Sequence, residues 1–255
     1  MKGEVNWTVT HMKTADPRLT SWTWTWTWTG PRPPDSPETS RIFQFEIGSM
    51  QNLVYLVVDW STKQAAWVDP QKDLSEPLAL IKKHQLSLQA VWLTHTHADH
   101  VAGLAELMGQ FPGIPVYLHE KEAFRLKLSP SFQERLHFLH DQEQIALGNQ
   151  GIRAWHMPGH SAGALSFEIP SDGKAPPFLL TGDTLFIRDC GRTDLPTGST
   201  AQMFESLQRY RQFPAETILL PGHHYREEWW STLGQEWQES PPFQCRSAAE
   251  LEALP

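Results

Sequence analysis

Seven consecutive residues, Thr94-His95-Thr96-His97-Ala98-Asp99-His100, constrain this chain more than any other stretch. The apolar run Ala90-Val91-Trp92-Leu93 stands directly before them, the pattern of a buried strand. The segment Val101–Met108 after them reads as a helix. The cluster therefore falls on a strand-to-helix loop, where α/β proteins place their chemistry. On an extended backbone alternate side chains share a face, so His95 and His97 can grip one metal ion together. Asp99 and His100, beyond the turn, point elsewhere and can serve a second ion.

Three more ligand-type residues stand at expected strand ends. His160 lies in Met157-Pro158-Gly159-His160-Ser161-Ala162-Gly163, Asp183 in Thr181-Gly182-Asp183-Thr184-Leu185-Phe186, and His223 in Pro221-Gly222-His223-His224-Tyr225. Each alone reads as an ordinary loop residue beside glycine, whose freedom lets a backbone bend toward a shared point. Four strand ends carrying His or Asp at one edge read as a site. Imidazole and carboxylate donors suit Zn, Fe or Mn, and the lack of clustered thiolates excludes a structural cysteine-type zinc site.

The surrounding pattern is α/β. Strands are expected at Ile42–Ile47, Asn52–Asp59, Gln64–Asp69, Val116–Leu118, Ile145–Leu147, Ile152–Met157, Ala164–Ile169, Phe178–Thr181 and Ile218–Leu220. Helices are expected near Pro77–His84 and Ala201–Phe213, with residues 120–142 helical in part. Strands with interleaved helices, twice over, suggest two sheets with helices outside. Residues 1–40 differ: Trp22–Thr29 is a strict Trp-Thr repeat with strand periodicity, and Gly30–Pro37 is Pro-rich, a linker or solvated coil. The expected division is an extension over 1–40, the main domain over 41–236 and a tail over 237–255.

A net charge of -8 without a basic run argues against a nucleic-acid surface. No run of about 18 apolar residues spans a membrane, and the start lacks the apolar core of a signal peptide. The expected location is the cytoplasm. Cys190 and Cys245 do not make a disulfide scaffold, and Cys190, flanked by Asp189, reads as a plain half-buried thiol rather than a nucleophile.

The set Thr94–His100, His160, Asp183 and His223 resembles the metallo-β-lactamase superfamily over about residues 41–236. The resemblance implies an αββα sandwich of two mixed sheets with outer helices and a metal site at the sheet edge. It implies that His95, His97 and His160 bind one metal, that Asp99, His100 and His223 bind a second, and that Asp183 bridges both. Asp99 and Asp183 are thereby the catalytic carboxylates, and Asp69 in Val68-Asp69-Pro70 matches an orienter of the metal loop. One or two Zn2+, or Fe2+, are the implied cofactors.

Within the superfamily the chain resembles glyoxalase II (hydroxyacylglutathione hydrolase) and persulfide dioxygenase. Ala98, the run Cys190–Asp194 and the run Ser231–Glu236 lean toward the dioxygenase, as do the 32 residues after His223 (224–255), too few for the helical C-terminal domain of glyoxalase II. His224 stands where dioxygenases more often carry Asp, the tail is short for them too, and all seven metal positions are filled, which permits a dinuclear hydrolase although dioxygenases also retain those residues. Arg192 and Tyr225 match positions that contact glutathione in these families, Arg192 by forking onto a carboxylate. Hydrolysis of a glutathione-type thioester by metal-activated hydroxide is placed first, because it is the commoner chemistry. Oxidation of glutathione persulfide at mononuclear Fe(II) is second, and a non-catalytic binding protein on the same fold is third. The expected partner is a small glutathione-linked thiol derivative; a homodimer is left open.

Overall fold

The computed structural model describes residues 7–13, 22–28, 41–170 and 176–254. The Pro-rich run 30–37, the first six residues and residues 171–175 lie outside the described residues. Two six-stranded mixed sheets form the body. The first has the order β3 (Arg41–Ile47), β4 (Asn52–Asp59), β5 (Gln64–Val68), β6 (Ser87–Trp92), β7 (Val116–Leu118) and β8 (Leu136–Phe138). Its first three strands run antiparallel and the rest are parallel to β5. The second has the order β16 (Ser231–Thr232), β15 (Ile218–Pro221), β12 (Phe178–Gly182), β11 (Leu165–Ile169), β10 (Gln150–His156) and β9 (Gln144–Leu147). Within it only β12 and β15 are parallel. Two short pairs stand apart: β1 (Trp7–Lys13) with β2 (Trp22–Trp28), and β13 (Leu185–Phe186) with β14 (Asp189–Cys190). The Trp-Thr repeat thus forms a strand, as its period of two demands.

Period-two alternation also explains why both sheets are buried on both faces. In β4, Leu53, Tyr55 and Val57 face the second sheet, whereas Val54, Leu56 and Val58 face helices. Opposite the first set lie Ile152, Ala154, Leu165, Phe167, Leu180 and Leu220 of the second sheet. Trp92 and Phe167 stack across this central layer at 5.4 Å between ring centroids. The outer face of the first sheet is covered by α1 (Ser75–His84) and α3 (Leu104–Gln110) through Ile81, Leu104, Leu107 and Met108. The outer face of the second is covered by α5 (Thr200–Arg209), through Met203 and Leu207. The layers are αββα, as expected from the sequence.

Three local features differ from the sequence expectation. The helix expected at Val101–Met108 is two pieces, α2 (Ala98–Val101) and α3, separated by Ala102 and Gly103. The stretch 120–142 is helical in part as expected, with a 3-10 turn (Glu120–Arg125) and a single helical turn α4 (Pro130–Gln133), but it also contains the unexpected strand β8. The boundary expected at residue 236 falls inside α6 (Leu233–Glu239), and α7 (Pro241–Gln244) and α8 (Ala248–Glu252) follow. Phe243 and Leu251 pack into the same apolar cluster as Met203 and Leu207, which joins this segment to the body. Among the described residues, no helix is long and apolar enough to cross a membrane.

Phe167 has no exposed surface and closes the central layer from the second sheet. Phe167→Ala is expected to destabilise the protein by about 3–5 kcal/mol, the range for deleting a buried aromatic ring. Urea unfolding followed by fluorescence measures it.

Candidate metal centre

Every proposed ligand sits at or just past the C-terminal end of a strand, on the same edge of the sandwich. His95, His97, Asp99 and His100 follow β6, His160 follows β10, Asp183 follows β12 and His223 follows β15. Backbone bonds close the two sheets on each other there: Leu165 N–H donates to Thr94 O at 2.8 Å and Leu53 N–H to Gly222 O at 2.8 Å. The strand ends are therefore fixed relative to one another before any side chain is considered.

The side chains form three groups of possible ligand atoms, His95/His97/His160, Asp99/His100/His223 and Asp69/His95/His100; in each, all atoms lie within 4.8 Å of one another, and the first two are the trios of interest because Asp69 is spent on Thr94. Asp183 stands between them. Its Oδ2 is 3.5 Å from His160 Nε2 and 3.9 Å from His95 Nε2 on one side, and 3.3 Å from His223 Nε2 on the other. Its Oδ1 is 3.3 Å from His100 Nε2. The geometry thus brings together all seven residues singled out in the sequence.

The outward ring nitrogens of four of these histidines are occupied, which aims their inward ones at the centre. His160 Nδ1 donates to Arg192 O at 2.8 Å and His223 Nδ1 to Met50 O at 2.8 Å. His100 Nδ1 lies 3.0 Å from Asp69 Oδ2, and His95 Nδ1 lies 3.1 Å from Thr94 Oγ1. Such partners fix the tautomer and ring angle of a metal-binding imidazole. Asp69 also takes Thr94 N–H at 2.8 Å and the Thr94 hydroxyl at 2.6 Å. It therefore occupies an orienting place, and it holds a left-handed backbone (φ 51°) to do so.

Two glycines make room for this arrangement. Gly182 has φ 52°, and a Cβ there would lie 2.5 Å from Thr94 Oγ1. A Cβ on Gly222 would collide with Asp183 Oδ1.

The charges show what the cluster attracts. Burial alone would discharge His100, but Asp183 and Asp69 overrule it and hold its pKa well above the ordinary value. His223 is likewise raised to about 9, against burial, by Asp183 and Asp99. Burial would favour a neutral Asp183, yet His100, His223 and His95 hold its pKa well below the usual carboxylate range. In the other trio, burial pushes His95 well down, and burial with His160 nearby pushes His97 to about 4. The neutral imidazoles of His95 and His97 beside the Asp183 carboxylate are a donor set for a divalent cation, and His100 and His223 would join it by giving up their protons to the metal. His95 Nε2 is buried and has no hydrogen-bond partner among the described residues, a cost that a bound cation would remove. The residues present fit a metal.

The rim residues are less simple. Tyr225 is 52% exposed, with its ring stacked on His223 at 4.8 Å and Phe186 edge-on to it at 5.3 Å. The Arg192 guanidinium forks onto Asp194 in solvent, with both contacts at 2.7 Å, while its carbonyl serves His160. Burial pushes the Cys190 thiol up to about 12, so it stays protonated at neutral pH.

Sequence reasoning missed several participants. Asn52, the first residue of β4, donates to Asp99 Oδ2 at 2.9 Å and bridges to His223 through the backbone. Thr94 and Thr96 alternate with the loop histidines and anchor them. Glu122, a fully buried carboxylate on the 3-10 turn, takes both the N–H and the hydroxyl of Thr96. The available signal for the two threonines was their alternation with His95 and His97; for Asn52 and Glu122 there was none.

Comparison with known proteins agrees with this geometry. The profile described as "Metallo-beta-lactamase superfamily" matches residues 48–223. A hydroxyacylglutathione hydrolase of Bartonella henselae is 37% identical over 174 residues, 68% of this chain and 63% of its own length. The chain spans 62–67% of the length of other similarly named relatives. A metallo-β-lactamase from Staphylococcus aureus superposes with a TM-score of 0.75 at 26% identity, over 87% of this chain and 68% of its own. A protein solved in a di-iron-bound form (TTHA1623) gives a TM-score of 0.64 at 31% identity, over 78% of this chain and 98% of its own. With a family match that covers most of its length and a metal-ligand cluster at the expected edge of an αββα sandwich, the chain belongs to the metallo-β-lactamase superfamily.

Proposed function

We propose that this chain is a metal-dependent hydrolase of a glutathione-type thioester. The observation that carries the reading is the pair of trios with Asp183 between them. His95, His97 and His160 would hold one ion, Asp99, His100 and His223 the other, and Asp183 both. Two divalent ions held there would lower the pKa of a water toward about 7 and polarise a carbonyl. Zn2+ and Fe2+ both suit the donors, and the di-iron neighbour supports iron.

The chain's own groups supply the rest. Asp99, only partly buried, is held ionised by His223, His100 and Asn52 against its burial, which keeps its oxygens free to take a cation rather than a proton. Tyr225 and Phe186 make an aromatic wall beside His223. Arg192 can exchange Asp194 for a substrate carboxylate, since both lie in solvent. An alkanethiolate of pKa about 8.5 leaves without a strong general acid. The names of the relatives support a glutathione conjugate as substrate. Two free cysteines accord with a reducing cytoplasm.

A second reading is oxygenation of glutathione persulfide at one iron. It draws on His95, His97, His160 and the Asp183 carboxylate surrounding one point, with His97 partly open to solvent. Lactoylglutathione, followed at the loss of thioester absorbance, separates the two. Turnover is expected with Zn2+ or Fe2+, abolished by chelator or by His97→Ala. Oxygen uptake on glutathione persulfide without any thioester cleavage would make the second reading correct.

Asp69→Asn tests the orienting contact. The amide cannot accept from Thr94 and His100 together, so metal affinity should fall about 10–100-fold. Competition with a chromogenic chelator reads the loss.

A further inference from the structure

We propose that Glu122 is the positioning residue of the His95/His97/His160 half of the centre, and that the Asp99/His100/His223 half is supported independently of it. The proposal rests on the metal-centre reading above. Glu122 has no exposed surface, and its two carboxylate oxygens serve two different segments directly and a third through Arg125. Oε2 accepts Thr96 N–H at 3.0 Å and the Thr96 hydroxyl at 2.7 Å, between His95 and His97. Oε1 accepts Gly163 N–H at 2.9 Å, three residues after His160. Arg125 closes the node. Its guanidinium meets Glu122 Oε2 at 3.1 Å and reaches the third segment at Pro196 O (2.6 Å) and Thr197 Oγ1 (2.7 Å). That segment begins at Arg192, whose carbonyl holds His160 Nδ1.

Glu122 thus ties the loop of His95 and His97 to the loop of His160 across the two sheets, without touching any ligand atom. Among the described residues, no hydrogen bond or ion pair joins it to the other trio. His100 is oriented by Asp69, Asp99 by Asn52, and His223 by Met50 O. Backbone N–H groups held by a buried carboxylate set a loop more rigidly than a neutral acceptor does, because charge-assisted bonds are about twice as strong. In Glu122→Gln one oxygen becomes an N–H2 donor that faces a donor, so one of the two loops loses its hold.

The test uses the full chain and Zn2+ titrated against a fluorescent chelator, with circular dichroism confirming the fold. His223→Ala leaves the first trio intact, and His97→Ala leaves the second. In the His223→Ala background, Glu122→Gln is expected to weaken Zn2+ binding about 10–100-fold. In the His97→Ala background, the same change is expected to leave affinity within about twofold. Thr96→Val, which deletes one hydroxyl bond and keeps the carboxylate, is a second probe with the same expected asymmetry and a smaller loss. Equal losses in both backgrounds, or none in the His223→Ala background, would overturn the proposal. A wild-type chain that binds no Zn2+ or Fe2+ would instead overturn the metal-centre reading on which it rests.

Discussion

The buried carboxylate of Asp69 is the contact on which the rest of the centre depends. It stands just past β5 and takes the Thr94 N–H, the Thr94 hydroxyl and the His100 ring together. The first two bonds set where the histidine loop leaves β6; the third sets the angle of an imidazole in the opposite trio. A non-glycine residue at φ 51° in a buried position is strained. Three bonds to one side chain explain why the backbone keeps that shape.

Much of the architecture was legible because it obeys one rule. Strands buried on both faces read as unbroken apolar runs, and the residues from Leu53 to Val58 are such a run, with alternate members serving two different layers. The histidine cluster was legible because the chemistry of its donors is unusual in a loop. Shorter elements escaped: β13, β14 and β16 have two residues each, too few for any period to show. The break between α2 and α3 escaped because the apolar spacing continues through Ala102 and Gly103.

At the site the division is sharper. Groups that act through their own side-chain chemistry were found, and groups that act through backbone partners were not. Glu122 stands in the polar run His119-Glu120-Lys121-Glu122, which resembles a solvated surface until the fold folds it inward. Its partners, Thr96 and Gly163, are 26 and 41 residues away. Arg192 shows the converse. Its side chain suggested a role, yet the part fixed against His160 is its carbonyl, which any residue would offer. Asn52 lies 47 residues from Asp99 and meets it only because β4 starts where the two sheets close.

Each trio takes its members from both sheets: His95 and His97 from the first with His160 from the second, Asp99 and His100 from the first with His223 from the second. Each of these two trios is complete only when both sheets contribute. An ion held by either trio would therefore be a fastener across the sandwich, and its binding energy would add to the docking of the two halves rather than to either half. A nascent chain would complete the His95/His97/His160 trio only once residue 160 has emerged, and the Asp99/His100/His223 trio only at residue 223. In either trio, metal escape and the parting of the sheets would be one process seen from two sides.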